Sequence, residues 1–224
     1  MKELCLNENR SESDLLNHDV HISCDFDGTI TTKDVLVDVS TYFQLPNHER
    51  LIHDIHSRKI SIKEGVAALF KGVSHQQINE MKQYISSEIK LREGFEDFMF
   101  HCECNSYELD IVSGGIDLFI EHLLPFFPPS NIYCNQLIFS NGFSEVTSEH
   151  QHETCTSCGC CKVRFLKENR FEIVIGDSVT DMYSARLADM VFARGSLIEL
   201  CKSYQIAYHP YETFHDIISV LESM

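Results

Sequence analysis

The sequence predicts an α/β protein on a doubly wound, mostly parallel sheet, with a helical unit inserted near its start and a small β-hairpin flap. Short apolar runs at 20–26, 107–112, 172–175 and 190–193 alternate with stretches of helical spacing, the pattern of parallel strands joined by crossover helices. That alternation stops between residues 34 and 90, where only helical spacings occur. Asn141-Gly142, between two apolar-containing runs, is a hairpin signal.

In chain order, residues 1–19 are polar and carry no clear period apart from Leu15-Leu16, which predicts a flexible N-terminal extension. Val20, Ile22, Cys24 and Phe26 then alternate with other residues until Gly28, as in a short strand feeding a loop. Three apolar sets at helical spacing follow: Val35, Val39 and Phe43; Ile62, Val66, Leu69 and Phe70; Ile78, Met81, Ile85 and Ile89. Asp34 is an N-cap candidate, and Pro46-Asn47, Ser61 and Ser74 punctuate the three sets. The expected organisation is a core at 20–36 and 91–224 and a helical cap at 37–90. Beyond it the pattern gives a helix at 95–104, a strand at 107–112, a helix from Ile116 and a strand near Ile132. The flap at 136–146, a strand at 172–175, a helix from Thr180, a strand at 190–193 and a helix from Ser196 complete the chain.

At 224 residues the chain is long enough for one core of ordinary size. Its net charge of -16, from 34 acidic and 18 basic residues, repels polyanions and argues against nucleic acid or an anionic membrane as partner. A small phosphorylated molecule would need a local cation to offset that field. Met1 is followed by Lys2, Glu3, Asn7, Glu8 and Arg10 rather than an apolar leader, and no stretch approaches the roughly 20 apolar residues of a membrane span. The ten cysteines are therefore expected to be mostly reduced, in a cytoplasmic protein.

Four stretches carry reactive groups near the ends of expected elements: "CDFDGTITT" with Asp25 and Asp27, "IVSGG" with Ser113 and Gly114, Lys162 before an expected helix, and "IVIGDSVTD" with Asp177 and Asp181. Ligands of open parallel sheets bind beyond the carboxyl ends of the strands, where such loops converge. Two carboxylates one residue apart repel unless a cation or proton lies between them. Mg²⁺ would answer that need, with oxygens from Asp25, Asp177 and a backbone carbonyl near Asp27. Asp25 can attack phosphorus as a nucleophile, and Asp27 can serve as acid in one step and base in the next. Ser113 and the Gly114 amide can bind phosphate oxygens, and Lys162 can neutralise the transferring group. Asp181 can orient metal-bound water or Lys162.

Together these motifs, D-x-D-G-T, a serine after the second strand, a lysine and G-D-x-x-x-D in that order, resemble the haloacid dehalogenase-like phosphohydrolases. The resemblance implies a Rossmann-like core, Mg²⁺ and an aspartyl-phosphate intermediate on Asp25. The early helical insert is similar to the cap of the phosphoserine phosphatase branch. Within that branch, "REGFEDF", "VSGGIDLFI", "IYCN", "CGCCK", "ADMVFAR" and "YETFHDI" resemble the methionine-salvage members, which implies an enol phosphate as substrate. Phosphoserine, phosphocholine and phosphoethanolamine are the alternative substrates.

Cys155, Cys158, Cys160 and Cys161 leave a second question. With His150 and His152 nearby they could hold zinc or form a redox pair, which would suit an interaction module on an inactive core. Adjacent cysteines ligate one ion with poor geometry and a second ligand pair is lacking, so packing of the loop is the favoured reading.

Overall fold

The computed structural model describes residues 19–57, 59–150 and 160–224. The expected extension, apart from its last residue, lies outside the described residues, as do Arg58, His152, Cys155 and Cys158. In chain order the elements are β1 (Val20–Cys24), α1 (Val35–Tyr42), α2 (His48–His56), α3 (Ile62–Phe70), α4 (His75–Glu88), α5 (Phe95–Cys104), β2 (Glu108–Ile116) and α6 (Asp117–Leu123). They continue with β3 (Ile132–Ser140), β4 (Phe143–Thr147), β5 (Phe171–Gly176), α7 (Met182–Ala185), β6 (Met190–Ala193), α8 (Gly195–Tyr204), β7 (His209–Pro210) and α9 (Phe214–Glu222). The strands form a seven-stranded sheet in the order β4-β3-β2-β1-β5-β6-β7. β2 with β3, β5 with β6 and β6 with β7 are parallel, and β3 with β4 is antiparallel. The expected α/β class, mostly parallel sheet and hairpin are thus present. No helix among the described residues is long and apolar enough to cross a membrane.

By contact, the chain divides into two compact units. One comprises described residues of 1–23, 93–109 and 166–224. Every residue of β1 and β5 is buried, the mark of strands covered on both faces. In β1 this includes His21, whose Nδ1 lies 2.7 Å from Glu172 Oε2, so the second face is polar but partnered. Phe214 of α9 meets Phe95 and Phe98 of α5 with ring centroids 5.1 and 5.2 Å away. Met182, Ala185, Leu197 and Cys201 pack with Val174, Val191 and Ala193.

The other unit comprises described residues of 24–92 and 110–165 and contains the helical insert. Asp34 Oδ1 accepts from Val37 N at 2.9 Å and starts α1, while reciprocal Ser61/Glu64 and Ser74/Gln77 boxes start α3 and α4. Tyr84 Oη donates to Asp38 Oδ2 at 2.7 Å and ties α4 to α1. β3 is one strand whose first half pairs with β2 and whose second half pairs with β4. The turn between them has φ of 51° at Asn141 and 83° at Gly142, the left-handed pair that a two-residue hairpin requires. Ser144 N donates to Val73 O at 3.1 Å and Gly72 N to Ser144 O at 3.0 Å, so the insert covers part of the outer edge of β4.

Candidate active site

β1 ends at Cys24, and the next residue, Asp25, is 5% exposed. Lys162 Nζ donates to Asp25 Oδ1 at 2.6 Å, and both side chains are nearly closed to solvent. The lysine comes from a single 3₁₀ turn, Lys162–Phe165, rather than from the approach to a longer helix. This contact between opposite charges spans 137 residues of sequence.

The chain turns tightly after Asp25. Gly28 has φ of 77°, its amide donates to Lys33 O and Thr31 Oγ1 at 3.2 Å each, and Phe26 O accepts from Thr31 N at 3.0 Å. Asp27 is held by both oxygens from outside the turn: Oδ1 accepts from Val35 N at 2.9 Å, and Oδ2 accepts from Ser113 Oγ at 3.3 Å. Burial, then the charge of Asp34, pushes the Asp27 pKa up to about 8, against the opposing pull of the Val35 amide, Ser113 and Lys162.

Ser113 is not in a loop beyond its strand, as the sequence suggests. β2 continues to Ile116, and its register with β3 shifts between Val112 and Ile116, so Ser113 and Gly114 occupy an irregularity within the strand. Ser113 Oγ accepts from Gly115 N at 2.9 Å. Asn135 Nδ2 donates to Gly114 O at 2.7 Å and Asn135 Oδ1 accepts from Ser148 Oγ at 2.5 Å. α6 begins at Asp117, beyond this bulge.

Asp177 and Asp181 belong to the first unit, just after β5. Asp181 is fully buried and its Oδ2 accepts from the amides of Asp177 at 3.2 Å and Ser178 at 3.0 Å. It therefore fixes the backbone that presents Asp177. A Cβ on Gly176 would stand 2.3 Å from Asp181 Cγ, which explains the glycine. From the other side, Asp177 O accepts from Leu197 N at 2.9 Å. The expected helix from Thr180 is the single turn α7.

Of the four clustered cysteines, Cys160 and Cys161 are described and both are buried. Cys160 Sγ contacts Tyr133 O at 3.2 Å, and burial raises its pKa to about 12, which keeps it a thiol. Cys161 N donates to His150 O at 2.9 Å.

Sequence reasoning assigned no role to two residues that shape this site, Asn135 and Arg92. Arg92 Nε donates to Thr29 O at 2.7 Å, and Nη2 donates to Gly28 O at 2.7 Å and Thr31 O at 3.1 Å. The signal available was their presence in "IYCN" and "REGFEDF", since the carbonyls that their side chains bind lie far from them in sequence.

The haloacid dehalogenase-like hydrolase family matches residues 22–186, and the chain belongs to it. It is 38% identical over 217 residues to a 2-hydroxy-3-keto-5-methylthiopentenyl-1-phosphate phosphatase of Lysinibacillus sphaericus, covering 91% of this chain and 94% of the relative. A protein of the same name from Bacillus cereus is 39% identical over 212 residues, covering 92% of this chain and 97% of the relative. In fold the chain is similar to the crystal structure of a phosphoserine phosphohydrolase-like protein from Francisella tularensis. That match has a TM-score of 0.66 and 20% identity and covers 90% of this chain and 99% of the other.

Proposed function

We propose that the chain hydrolyses 2-hydroxy-3-keto-5-methylthiopentenyl-1-phosphate, a step of methionine salvage, through an aspartyl-phosphate on Asp25. The observation that carries the chemistry is the buried contact of Lys162 Nζ with Asp25 Oδ1 at 2.6 Å. A lysine held there can neutralise the phosphoryl oxygens that come to rest beside it. The choice of substrate rests on the names of the two bacterial relatives.

In the first step an oxygen of Asp25 attacks phosphorus and the bond from phosphorus to the ester oxygen breaks. Asp27, steadied by Val35 N and Ser113 Oγ, gives its proton to the leaving enol oxygen. In the second step Asp27 takes a proton from water as that water attacks phosphorus. The bond to Asp25 breaks and inorganic phosphate leaves. The Gly114 amide binds the phosphate oxygens in this scheme, Ser113 joins it when its hydroxyl turns from Asp27 to the substrate, and Lys162 stays beside them throughout.

Phosphatases of this family generally use Mg²⁺, and the residue types fit that ion, because the carboxylates of Asp25 and Asp177 and the Asp27 carbonyl would offer it only oxygen donors. When bound it supplies positive charge to the phosphoryl group and offsets the -16 field of the chain. Asp181 supports Asp177 from behind. The helical insert at 37–90 acts as a cap over the core at 20–36 and 91–224 and limits water during transfer. A cytoplasmic setting belongs to the same reading and is supported by the reduced thiols at Cys102, Cys134 and Cys201.

The test is phosphate release by the purified chain with Mg²⁺ from the methylthiopentenyl ester, phosphoserine, phosphocholine and phosphoethanolamine. The expected result is the highest kcat/KM on the first, abolished by Asp25→Asn. Preference for phosphoserine would overturn the substrate, and turnover by Asp25→Asn at the parental rate would overturn the mechanism.

A further inference from the structure

Arg92 is 8% exposed, lies where the helical insert rejoins the chain, and has no part in the chemistry above. Its main chain pairs with the segment by which the insert departs: Arg92 N donates to Ile30 O at 2.7 Å, Thr32 N donates to Lys90 O at 3.0 Å, and Thr31 bridges Leu91. Its guanidinium then takes the carbonyls of Gly28, Thr29 and Thr31. A single residue thereby holds four consecutive carbonyls of the turn that follows Asp27.

The consequence falls on Asp27. The Gly28 amide is directed at Lys33 O and Thr31 Oγ1, and all peptide bonds described are trans. Across a trans peptide the carbonyl points opposite to the amide, so Asp27 O faces away from the interior of the turn. The donors of Arg92 on the carbonyls of Gly28, Thr29 and Thr31 fix the peptide planes after it, including the left-handed Gly28. A turn otherwise free to relax at a glycine is kept in one conformation, and with it the direction of both the Asp27 carbonyl and its side chain.

We propose that Arg92 is a positioning residue that orders the turn from Gly28 to Thr31 and so sets Asp27 for proton transfer and for its carbonyl's contact with the metal. This rests on the phosphatase reading above. Lysine cannot replace the arginine, because a single ammonium lacks the planar fork that reaches several carbonyls at once.

The test compares the full chain with Arg92→Lys, Arg92→Gln and Arg92→Ala, using circular dichroism for fold, steady-state kinetics on the methylthiopentenyl ester and an aryl phosphate, Mg²⁺ calorimetry and hydrogen exchange of peptides covering 26–32. Arg92→Lys is expected to fold, to lose about 10- to 100-fold in kcat and to bind Mg²⁺ more weakly, with KM changed less than about threefold. Exchange at 28–32 should quicken, and added guanidinium ion should restore part of the kcat of Arg92→Ala. Parental kcat and exchange in Arg92→Lys would overturn the proposal. Loss of fold in all three variants would also overturn it, since Arg92 would then be a structural residue. If the parental chain releases no phosphate from any ester, the phosphatase reading fails, while exchange and Mg²⁺ affinity still report on Arg92.

Discussion

At Gly115 a Cβ would stand 2.7 Å from Asp27 Oδ2 and 3.0 Å from Ser113 Oγ, between two groups that must stay in contact for the proposed proton transfer. Alanine there is expected to push Asp27 aside and lower kcat by about 100-fold, the loss that follows a misplacement near 1 Å. Circular dichroism should be unchanged, and a parental kcat would show that Asp27 tolerates displacement. Gly142 is a glycine for a different reason. No atom lies within 4 Å of its Cβ position, but its φ is +83°. Gly142→Ala should therefore cost about 1–2 kcal/mol through backbone strain alone, read as a lower urea midpoint with an unchanged m-value.

The start of α9 gives a pH prediction at the scale of an element. Asp216 accepts from the amides of Thr213 at 2.8 Å and Glu212 at 2.9 Å, which hold its pKa below the ordinary 3.8. A depressed carboxylate adds stability that is complete above its unfolded value and is lost as pH falls through the lower folded one. Urea midpoints should therefore drop below about pH 4 in the parental chain and drop less steeply in Asp216→Asn. Equal slopes would show that the cap survives protonation. The elements also differ in how plainly the sequence announces them. β5 and β6 are legible because buried parallel strands are written as short apolar runs, Ile173 to Ile175 in the one and Met190 to Ala193 in the other. α2 is less plain, because its apolar set is only Leu51, Ile52 and Ile55, half-buried among histidines and charged residues, and β7 spans only two residues. Asp25, Asp27 and Asp177 are singled out by short local motifs, whereas Ser113 and Lys162 are singled out only by the order of those motifs along the chain. Arg92 and Asn135 cannot be read in either way: they bind carbonyls at least 20 residues away, and no spacing records such a contact. His21 is hidden likewise, its partner Glu172 lying 151 residues on.

For the whole molecule the dominant quantity is charge. A net charge of -16 at pH 7 confronts a substrate whose phosphate is itself anionic, so diffusional approach is opposed everywhere except near Lys162 and the proposed metal. The range of that opposition is set by salt: the Debye length is about 30 Å at 0.01 M and about 8 Å at 0.15 M. At low salt the substrate meets the summed field of the surface; at higher salt it meets only the charges lining the pocket. With free Mg²⁺ held constant, kcat/KM should rise about threefold over that interval while kcat stays level, because screening alters the encounter and not the buried chemistry. Sodium and potassium chloride should give the same curve, which separates screening from binding of a particular ion. A fall in kcat/KM with salt would mean that the cations of the pocket already govern approach from a distance, and that the acidic surface lies too far from the substrate's path to be felt.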